Sequence, residues 1–372
     1  MALSRNISIF LVYLSGLLCG LIVSRQFFTS HRSLTHIRYP QSHSEIDSIP
    51  SDSHIHFAHD ESMHNEDRRA ANYLYKNARV LCWIMTGAAN LRTKAIHVKA
   101  TWAKRCNKVV FMSDKEDKEF PAIHLNVGEG RDHLTAKTMQ AFEYIYKNHR
   151  DDADWFLKAD DDTYVILENL RFLLGAHSPS DPVYFGHHFK TIVRQGYHSG
   201  GAGYVLSKEA LTRFANRKSG LCASDLGAED VEIGKCLQYL GVKPGDSRDA
   251  LGRTRFHCFN PGTHLHGSYP DWYYEYDKYG AKKGMESMSD FPITFHYVST
   301  NDMYDLEFFI YHLRAYGIIE GNPPIELTYP PKNSEYKFKP RVWHIPPKGD
   351  VTESENSSTT NESLLNAQVS RN

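Results

Sequence analysis

The sequence lacks an excess of charge of either sign. Its 372 residues contain 43 lysines and arginines against 44 aspartates and glutamates, which gives a formal net charge of −1. A nucleic-acid-binding protein usually has a basic excess or a basic face, and no run of Lys or Arg provides one here. The charge balance therefore argues against a nucleic-acid partner.

Patterns that indicate several common sites are also missing. None of the six cysteines lies in a Cys-x-x-Cys pair, so a zinc ribbon is not expected. The glycine-rich stretch 199–203 lacks the G-x-G-x-x-G spacing of a dinucleotide-binding loop. The acidic stretch 160–162 lacks the glycine and the downstream spacing of an EF-hand calcium loop. A zinc ribbon and a dinucleotide-binding loop are therefore not expected, and an EF-hand calcium loop is excluded.

The composition does support a sizeable folded core. Hydrophobic residues make up 41% of the chain and aromatic residues 12%, and the length suits one large or two modest domains. Residues 25–72 are polar and rich in Ser, His and Asp, which is typical of a stem. Residues 318–372 are Pro-rich and then rich in Ser, Asn and Glu, which predicts a disordered tail. The folded domain is expected over residues 73–317.

One long uncharged segment lies near the N-terminus. Residues 6–24 carry no charge and are strongly apolar, which is just long enough to span a bilayer. The alternative is a cleaved signal peptide, but the apolar core is long for one and residues 24–26 make a poor cleavage site. We therefore expect a transmembrane signal anchor over residues 6–24 after a tail of residues 1–5. Arginines after the span leave its orientation open.

Cysteines and glycosylation sequons bear on the compartment of the folded domain. Two sequons, at Asn356 and Asn361, favour a lumenal location. An oxidising compartment would allow two local disulfides, and these would join Cys82 to Cys106 and Cys222 to Cys236. The alternative is that all of these cysteines are buried thiols in a cytosolic protein. In the first case Cys258 is left without a partner.

Apolar runs alternate with amphipathic helical patterns, which predicts an α/β fold with a mostly parallel central sheet. Strands are predicted over residues 79–86, 109–112, 155–159, 182–185 and 292–298, with a glycine-rich, strand-like stretch at 196–206. Helices are predicted over residues 93–105, 163–174 and 231–240, from a cap at Asp132 to 148, from Ser207 to 216, and after a cap at Ser299 or Thr300. Ligands of such a sheet bind at the carboxyl ends of its strands.

The most informative stretch is Asp160-Asp161-Asp162, which follows directly on an apolar strand. Such a concentration of charge beside a buried strand is costly unless a cation compensates it. Carboxylate oxygens suit Mg²⁺ or Mn²⁺, and these ions commonly hold a substrate's phosphates. The pattern therefore favours a metal–diphosphate site and a nucleotide-sugar-dependent transferase. The alternative is a solvated acidic turn in which Asp162 and Thr163 cap the next helix.

Three further positions each have a functional and a structural interpretation. His296 lies in a predicted strand and is either a core residue or a nitrogen ligand that completes the aspartate site, which would favour Mn²⁺. Asp230 opens a helix, where the helix dipole alone would favour an acid, or it is a general base for an acceptor hydroxyl. Trp272 begins an aromatic cluster that is either core or a surface on which a sugar stacks.

Two basic residues and a glycine-rich segment give weaker signals. Arg131 and Lys137 would pair with phosphate, although single basic residues usually lie on the surface. The segment Ser199-Gly200-Gly201-Ala202-Gly203 either allows close backbone approach to a ligand or forms an ordinary tight turn.

Taken together, these motifs resemble the core 1 β1,3-galactosyltransferases, a group within the wider β1,3-glycosyltransferase family that includes Fringe. The resemblance covers roughly residues 73–317. It is carried by residues 80–86, 97–102, 105–108, 152–164, 199–207, 229–231 and 295–298.

This resemblance implies a GT-A type fold in a type II Golgi membrane protein with a lumenal catalytic domain, often a homodimer. It implies inverting transfer of galactose from UDP-galactose to the 3-hydroxyl of GalNAc on Ser or Thr of glycoproteins. Transferred by position, Asp162 and His296 would bind Mn²⁺ and Asp230 would be the catalytic base. The other implied roles are nucleotide support by Asp160, lining of the UDP pocket by Met85, Arg131, Lys137 and Tyr297, and acceptor contact by Trp272.

The chain departs from the family pattern on the acceptor side. Family members usually carry a Cys-Cys-Ser-Asp segment before the Phe-His-Tyr-Val strand, whereas residues 286–290 contain no cysteine here. The region 255–271 is shorter and more divergent than usual, and Cys258 is out of pattern. These differences concern the acceptor more than the donor.

Overall fold

The computed structural model describes residues 68–315, except residue 118 and residues 226–227. The expected anchor over 6–24 and the expected tail over 318–372 lie outside these residues, as does nearly all of the expected stem. Within the described part of the chain, no helix has the length and apolarity needed to cross a bilayer. The first described helix begins at Arg69, four residues before the start that the sequence suggested.

The architecture is mixed α/β around a seven-stranded sheet, as predicted. In chain order, the strands of the described residues are β1 (Val80–Met85), β2 (Lys108–Ser113), β3 (Ala122–His124), β4 (Trp155–Asp160), β5 (Tyr164–Val165), β6 (Val183–Gly186), β7 (His188–Phe189), β8 (Tyr197–His198), β9 (Tyr204–Ser207), β10 (Lys243–Pro244), β11 (Phe256–His257) and β12 (Thr294–Phe295). The main sheet has the order β10-β6-β9-β4-β1-β2-β3. Its pairings are parallel except those of β9, which is antiparallel to both neighbours.

Two small sheets lie beyond the main one. Strand β12 pairs in parallel with β11 and antiparallel with β5, and β7 pairs antiparallel with β8. The α-helices are α1 (Arg69–Asn77), α2 (Ile96–Ala100), α3 (Leu134–His149), α4 (Leu167–Gly175), α5 (Lys208–Ala215), α6 (Glu229–Tyr239), α7 (Pro261–His266), α8 (Asp271–Tyr276) and α9 (Thr300–Tyr311).

Strand β1 lies at the centre of the sheet and is buried on both faces. Successive side chains of a strand point to opposite faces. Accordingly Val80, Cys82 and Ile84 belong to one hydrophobic core, whereas Leu81 and Trp83 belong to another. This two-sided burial explains why the segment is continuously apolar rather than alternating. Strands β1 and β4 are parallel neighbours, so their carboxyl ends lie side by side and form the edge where the aspartates lie.

The predicted helix over residues 163–174 is partly wrong. Residues Tyr164–Val165 form β5, which pairs with β12, and the helix begins only at Leu167. Asp162 therefore does not cap a helix. The tertiary pairing of β5 outweighs the local helical pattern, and it leaves the carboxylate of Asp162 available for other partners.

Other boundaries differ because of local geometry. The predicted helix 93–105 is divided into a π turn over Leu91–Ala95, the short helix α2, and a 3-10 turn over Trp102–Arg105. Asp132 lies in a 3-10 turn and makes no capping hydrogen bond to α3. The predicted strand 292–298 is paired only at β12, so His296 follows the strand. The expected caps Ser207 and Ser299 are confirmed, since each accepts a hydrogen bond from a backbone N–H.

Both expected disulfides are present. Cys82 in β1 is bonded to Cys106 just before β2, and Cys222 is bonded to Cys236 in α6. Cys258 is a buried free thiol. The first bond closes a loop of 24 residues between neighbouring strands at the centre of the sheet.

Removing the first disulfide tests its contribution to stability. We expect the Cys82→Ala/Cys106→Ala variant to lose about 3 kcal/mol of unfolding free energy, because the unfolded chain regains the entropy of that loop. Urea denaturation followed by tryptophan fluorescence measures this change. Cys258→Ala, which removes a buried sulfur without a cross-link, should cost only about 1 kcal/mol. Equal unfolding midpoints for the wild type and the double variant would contradict the bond.

Candidate active site

Three predicted site residues meet at the carboxyl edge of the central sheet. Asp160 ends β4, Asp162 follows two residues later, and His296 arrives from the segment after β12. One ligand atom from each lies within 4.8 Å of the others. The His296 Nε2 atom is 3.3 Å from Asp162 Oδ1. The structure therefore brings together the two aspartates and the distant histidine.

The central aspartate, Asp161, is a buried and hydrogen-bonded residue rather than a solvated one. Asp161 is buried, and its Oδ2 atom accepts hydrogen bonds from Thr86 Oγ1 at 2.8 Å and Asn90 Nδ2 at 3.0 Å. Burial raises its pKa. These bonds fasten the acidic segment to the loop after β1, so Asp161 holds the backbone while its two neighbours face the site.

Two lysines compensate part of the negative charge. Lys158 is buried in β4, and its Nζ atom bonds Asp160 Oδ1 at 2.6 Å and the Gly200 carbonyl at 2.9 Å. Burial acts to lower the pKa of Lys158, but Asp160 and Glu229 outweigh it and the pKa is raised. Lys94 is more exposed, and its Nζ atom lies 3.3 Å from Asp162 Oδ2.

Asp162 is held as an anion by its surroundings. Burial acts to raise its pKa, but the hydrogen bond and charge of His296, together with Lys94, lower it to about 2. A carboxylate that stays ionised at neutral pH is ready to accept a metal or a hydrogen-bond donor.

The glycine-rich turn between β8 and β9 packs directly against this group. A Cβ atom on Gly201 would collide with the imidazole ring of His296, and one on Gly200 would collide with the carboxylate of Glu229. Gly203 has a φ of +75°, in the left-handed region that glycine tolerates best. The backbone therefore approaches side chains of the site closely, and its approach to a ligand stays a prediction.

Helix α6 begins with two acids that have different surroundings. Glu229 is buried and its Oε1 atom accepts hydrogen bonds from Tyr204 at 2.7 Å and Thr138 at 3.0 Å. Asp230 Oδ2 accepts a 3.2 Å bond from the Gly200 backbone N–H. Burial raises the pKa of Asp230. Glu229 therefore anchors the helix, whereas Asp230 is a partly buried carboxylate beside the turn, with the raised pKa that suits a base.

Tyr297 follows the histidine in an unusual backbone conformation. Its φ is +54°, which is uncommon for a residue other than glycine and costs energy unless the surroundings compensate. Its side chain is 53% exposed. The ring lies 3.9 Å from that of His296 and stacks at 6.1 Å on Phe259. This conformation turns the two consecutive rings of residues 296 and 297 towards the edge of the sheet.

Trp272, on helix α8, is neither core nor isolated. It is 44% exposed, and its ring contacts Phe189 at 6.0 Å, Phe259 at 6.2 Å and Tyr276 at 5.6 Å. Phe259 in turn stacks on Tyr297. A continuous aromatic surface therefore leads from His296 to Trp272, and an exposed indole on such a surface can stack on a sugar.

The remaining predicted pocket residues are distributed unevenly. Met85 ends β1 and is paired in register with Asp160, so it lies at the site. Lys137 is buried on α3, next to Thr138, which contacts Glu229, and its charge acts on Asp114. Arg131 is exposed in the turn before α3. The contacts seen in residues 68–315 do not connect Arg131 with the aspartates, and its role stays a prediction.

Sequence reasoning missed the two lysines. A signal for Lys158 did exist, since a lysine inside an otherwise apolar strand, two residues before Asp160, must lie on the same face as that acid. No local signal identifies Lys94, because it is 68 residues away from its partner Asp162.

The donor set fits a divalent cation. Two carboxylates and one imidazole are the mixed oxygen and nitrogen set that Mn²⁺ accepts more readily than Mg²⁺. The three side chains converge on one point, and two lysines do not neutralise the whole group of acids at this edge. Asp162 and His296 would therefore hold the ion, with Asp160 beside them and Gly201 leaving room for the imidazole.

Gly201→Ala tests this packing. The added methyl group must displace His296, so we expect affinity for Mn²⁺ to fall about tenfold or more, as when a supporting group of a metal site is lost. Titration of the metal-free protein with Mn²⁺, followed by electron paramagnetic resonance, measures this affinity. Gly262→Ala is the matched control, because a Cβ there has ordinary space. Unchanged affinity in Gly201→Ala would contradict the placement of His296.

Comparison with known proteins adds independent information. A family model described as Fringe-like matches residues 77–251. Glycoprotein-N-acetylgalactosamine 3-beta-galactosyltransferase 1 of Xenopus laevis is 50% identical over 270 residues, which are 71% of this chain and 73% of the relative.

More distant relatives match a shorter part of the chain. Beta-1,3-glucosyltransferase of Mus musculus is 30% identical over 148 residues, or 39% of this chain and 30% of the relative. Chondroitin sulfate synthase 3 of Homo sapiens is 26% identical over 178 residues, or 42% of this chain and 20% of the relative. The Xenopus relative matches most of both chains at half identity, and the Fringe-like region contains the aspartates, the glycine-rich turn and Asp230. The chain therefore belongs to the core 1 β1,3-galactosyltransferase family.

Proposed function

We propose that this protein is a Mn²⁺-dependent, inverting β1,3-galactosyltransferase with a GT-A type fold. It transfers galactose from UDP-galactose to the 3-hydroxyl of GalNAc on Ser or Thr of glycoproteins. The observation that carries the proposal is the convergence of Asp160, Asp162 and His296 at the carboxyl edge of the sheet. The similarity to the Xenopus relative supports the choice of donor and acceptor.

The donor side uses the residues at the ends of β1, β4 and β12. Asp162 and His296 would hold Mn²⁺, and Asp160 would support the nucleotide. When bound, the ion neutralises charge on the departing diphosphate. Met85 lies against Asp160 and lines the nucleotide pocket together with Lys137, Arg131 and Tyr297. The exposed ring of Tyr297 supports this assignment, because it is free on one side to contact a base or ribose.

Asp230 is the proposed general base. The acceptor hydroxyl oxygen attacks the anomeric carbon of galactose as the bond from that carbon to the UDP oxygen breaks, and the hydroxyl proton passes to Asp230. Attack opposite to the departing UDP inverts the configuration. The Gly200 backbone N–H orients the carboxylate, and burial brings its pKa towards that of an effective base.

The acceptor side is built around Trp272. Its exposed indole is available to stack on the GalNAc ring, and Phe259 places it on the same surface as Tyr297. The segment without the family's cysteines is held in another way. Arg253 makes two hydrogen bonds with Asp290, and Thr254 Oγ1 donates to the Ser287 carbonyl at 2.6 Å. These contacts support an ordered acceptor side despite the sequence departure.

The cellular setting is also part of the proposal. Residues 6–24 would anchor a type II protein in the Golgi membrane with its catalytic domain in the lumen, and the enzyme would act as a homodimer. The two disulfides support an oxidising compartment.

A sugar-transfer assay tests the reaction. The purified full-length chain, incubated with Mn²⁺ and a GalNAc-peptide, should transfer galactose from UDP-galactose in preference to glucose, GlcNAc or xylose from their UDP donors. Asp162→Ala should lower the rate at least 100-fold, because it removes a metal ligand. Transfer of glucose instead would favour the reaction for which the beta-1,3-glucosyltransferase of Mus musculus is named. If the wild type transferred no sugar, and the Asp162→Ala variant did not differ from it, the result would favour a chaperone-like protein that binds a true transferase.

The pH dependence tests Asp230. A base acts only when it is deprotonated, and burial raises its pKa above the usual value of about 4. We therefore expect kcat/KM to fall as pH decreases through this raised pKa, with the acid limb lying above pH 4. Asp230→Asn should abolish that limb and lower kcat about 10²- to 10⁴-fold.

Glu229→Gln is the matched control for this experiment. It changes the adjacent acid but keeps an oxygen that can accept hydrogen bonds from Tyr204 and Thr138. This variant should keep the acid limb and most of the rate while losing stability. If the acid limb were lost in Glu229→Gln but retained in Asp230→Asn, the base would be Glu229 and not Asp230.

A further inference from the structure

A small separate core lies beneath the proposed acceptor surface. It joins Ala202 of the glycine-rich turn and Val231 of α6 to the thiol of Cys258 and the rings of Tyr269 and Tyr273. Tyr273 is the residue after Trp272 on helix α8, and it is buried while Trp272 is exposed. The position of the exposed indole therefore depends on what fixes Tyr273 and the end of α8.

A buried ion pair lies at the end of this helix. His187, which follows β6, and Asp277, which follows α8, are both almost completely buried. The His187 Nε2 atom is 2.9 Å from Asp277 Oδ2, and its Nδ1 atom is 3.0 Å from the Phe256 carbonyl. Both ring nitrogens thus face acceptor oxygens, an arrangement that favours a proton on each nitrogen and a positively charged ring.

The electrostatic surroundings agree with a charged ring. Burial acts to lower the pKa of His187, but the neighbouring Cys258 and Asp277 outweigh it and the pKa is raised well above its usual value. The pKa of Asp277 is lowered, because His187 and two backbone N–H groups outweigh burial. Each partner therefore keeps the other ionised in an apolar core.

The pair joins α8 to the central sheet, because His187 directly follows strand β6 of that sheet and Asp277 directly follows α8. The Tyr273 ring stacks on the His187 ring at 5.5 Å, and the Tyr273 hydroxyl lies 3.3 Å from His187 Nε2. Backbone bonds from Lys190 to Tyr276 and from Lys278 to His188 run alongside. His187 thus contacts the carboxylate that follows α8 and one ring of the helix itself.

The reactions proposed above assign no role to His187 or Asp277. We propose that this buried ion pair is a positioning element for the acceptor, which fixes α8 so that Trp272 stands on the aromatic surface leading to His296. The inference rests on the proposed function, in which Trp272 contacts the acceptor sugar. Both residues are almost completely buried, so the pair acts through the helix that it holds.

Removing the charge of one partner tests this role. Asp277→Asn retains the shape of the side chain but leaves the imidazolium unpaired, so α8 should loosen. We expect the KM for a GalNAc-peptide to rise about 10- to 100-fold, as for a small displacement of a substrate-positioning group. The KM for UDP-galactose and the Mn²⁺ affinity should stay within about twofold, since the donor residues are untouched. Initial-rate kinetics of the full-length chain measure all three quantities.

A second variant and a control separate positioning from general damage. His187→Gln should reproduce the acceptor effect, and the double variant should be no worse than either single one, because the two residues act as a unit. Glu307→Gln breaks another buried pair, with Arg105, on a different helix, α9. It should lower stability without changing the acceptor KM.

Hydrogen exchange reports on the helix without any substrate. Amides of residues 271–276 should exchange faster in Asp277→Asn than in the wild type, and at the wild-type rate in Glu307→Gln. Unchanged exchange, or equal changes in the acceptor and donor KM values, would overturn the inference.

Failure of the proposed function would give a different result. A wild type that binds UDP and Mn²⁺ but transfers nothing to the peptide would contradict that function, and the exchange result would still decide whether the pair holds α8. If Asp277→Asn does not fold, the acceptor KM and the amide exchange of residues 271–276 are measured on His187→Gln instead, with the same expected results.

Discussion

The whole site depends on a local excess of negative charge at one edge of the sheet. Three acids, Asp160, Asp161 and Asp162, lie at the end of β4. Two more, Glu229 and Asp230, open α6. Lys158 of β4 contacts both Glu229 and the Gly200 carbonyl, and the Gly200 N–H bonds Asp230, so the two groups of acids lie close together. Buried carboxylates are costly unless cations or hydrogen-bond donors accompany them. Lys158, Lys94 and backbone or hydroxyl donors satisfy part of this requirement. A divalent cation held by Asp162 and His296, beside Asp160, would satisfy the rest.

The fold divides these acids into different roles by giving each a different set of partners. Asp161 and Glu229 receive hydroxyl hydrogen bonds and fasten the β1 loop and α6. Asp162 faces His296 and has a lowered pKa, whereas Asp230 faces the glycine-rich turn and has a raised one. Opposite pKa shifts in neighbouring carboxylates are the usual way in which one site combines an ionised ligand with a base.

Much of this arrangement could be predicted from the sequence, and the failures have physical causes. Continuous apolar runs identify β1 and β4, and the acids that follow them must lie at a common edge, so the aspartate site was predictable. The pairing of β5 with β12 was not, because it joins residues about 130 positions apart and outweighs the local helical pattern. The same pairing places His296 beside Asp162. From its residues alone, the sequence left His296 as either a core residue or a ligand that completes the aspartate site, and only the resemblance to a known family favoured the second.

The acceptor side shows where sequence reasoning ended. Trp272 and Cys258 were recognised as notable, but neither the aromatic surface through Phe259 nor the ion pair of His187 and Asp277 has a local signature. Both arise from segments that meet only in the folded chain. The sequence departures in this half are therefore compensated by contacts that no single segment shows.

The central claim is that Asp162 and His296 hold the ion that joins the protein to the donor diphosphate. Anomalous diffraction at the manganese edge, from crystals of the full chain grown with Mn²⁺ and UDP, tests it most directly. The account predicts one strong peak bonded to Asp162, to His296 and to oxygens of the diphosphate. A diphosphate bound without that peak, or a peak that touches neither side chain, would contradict it.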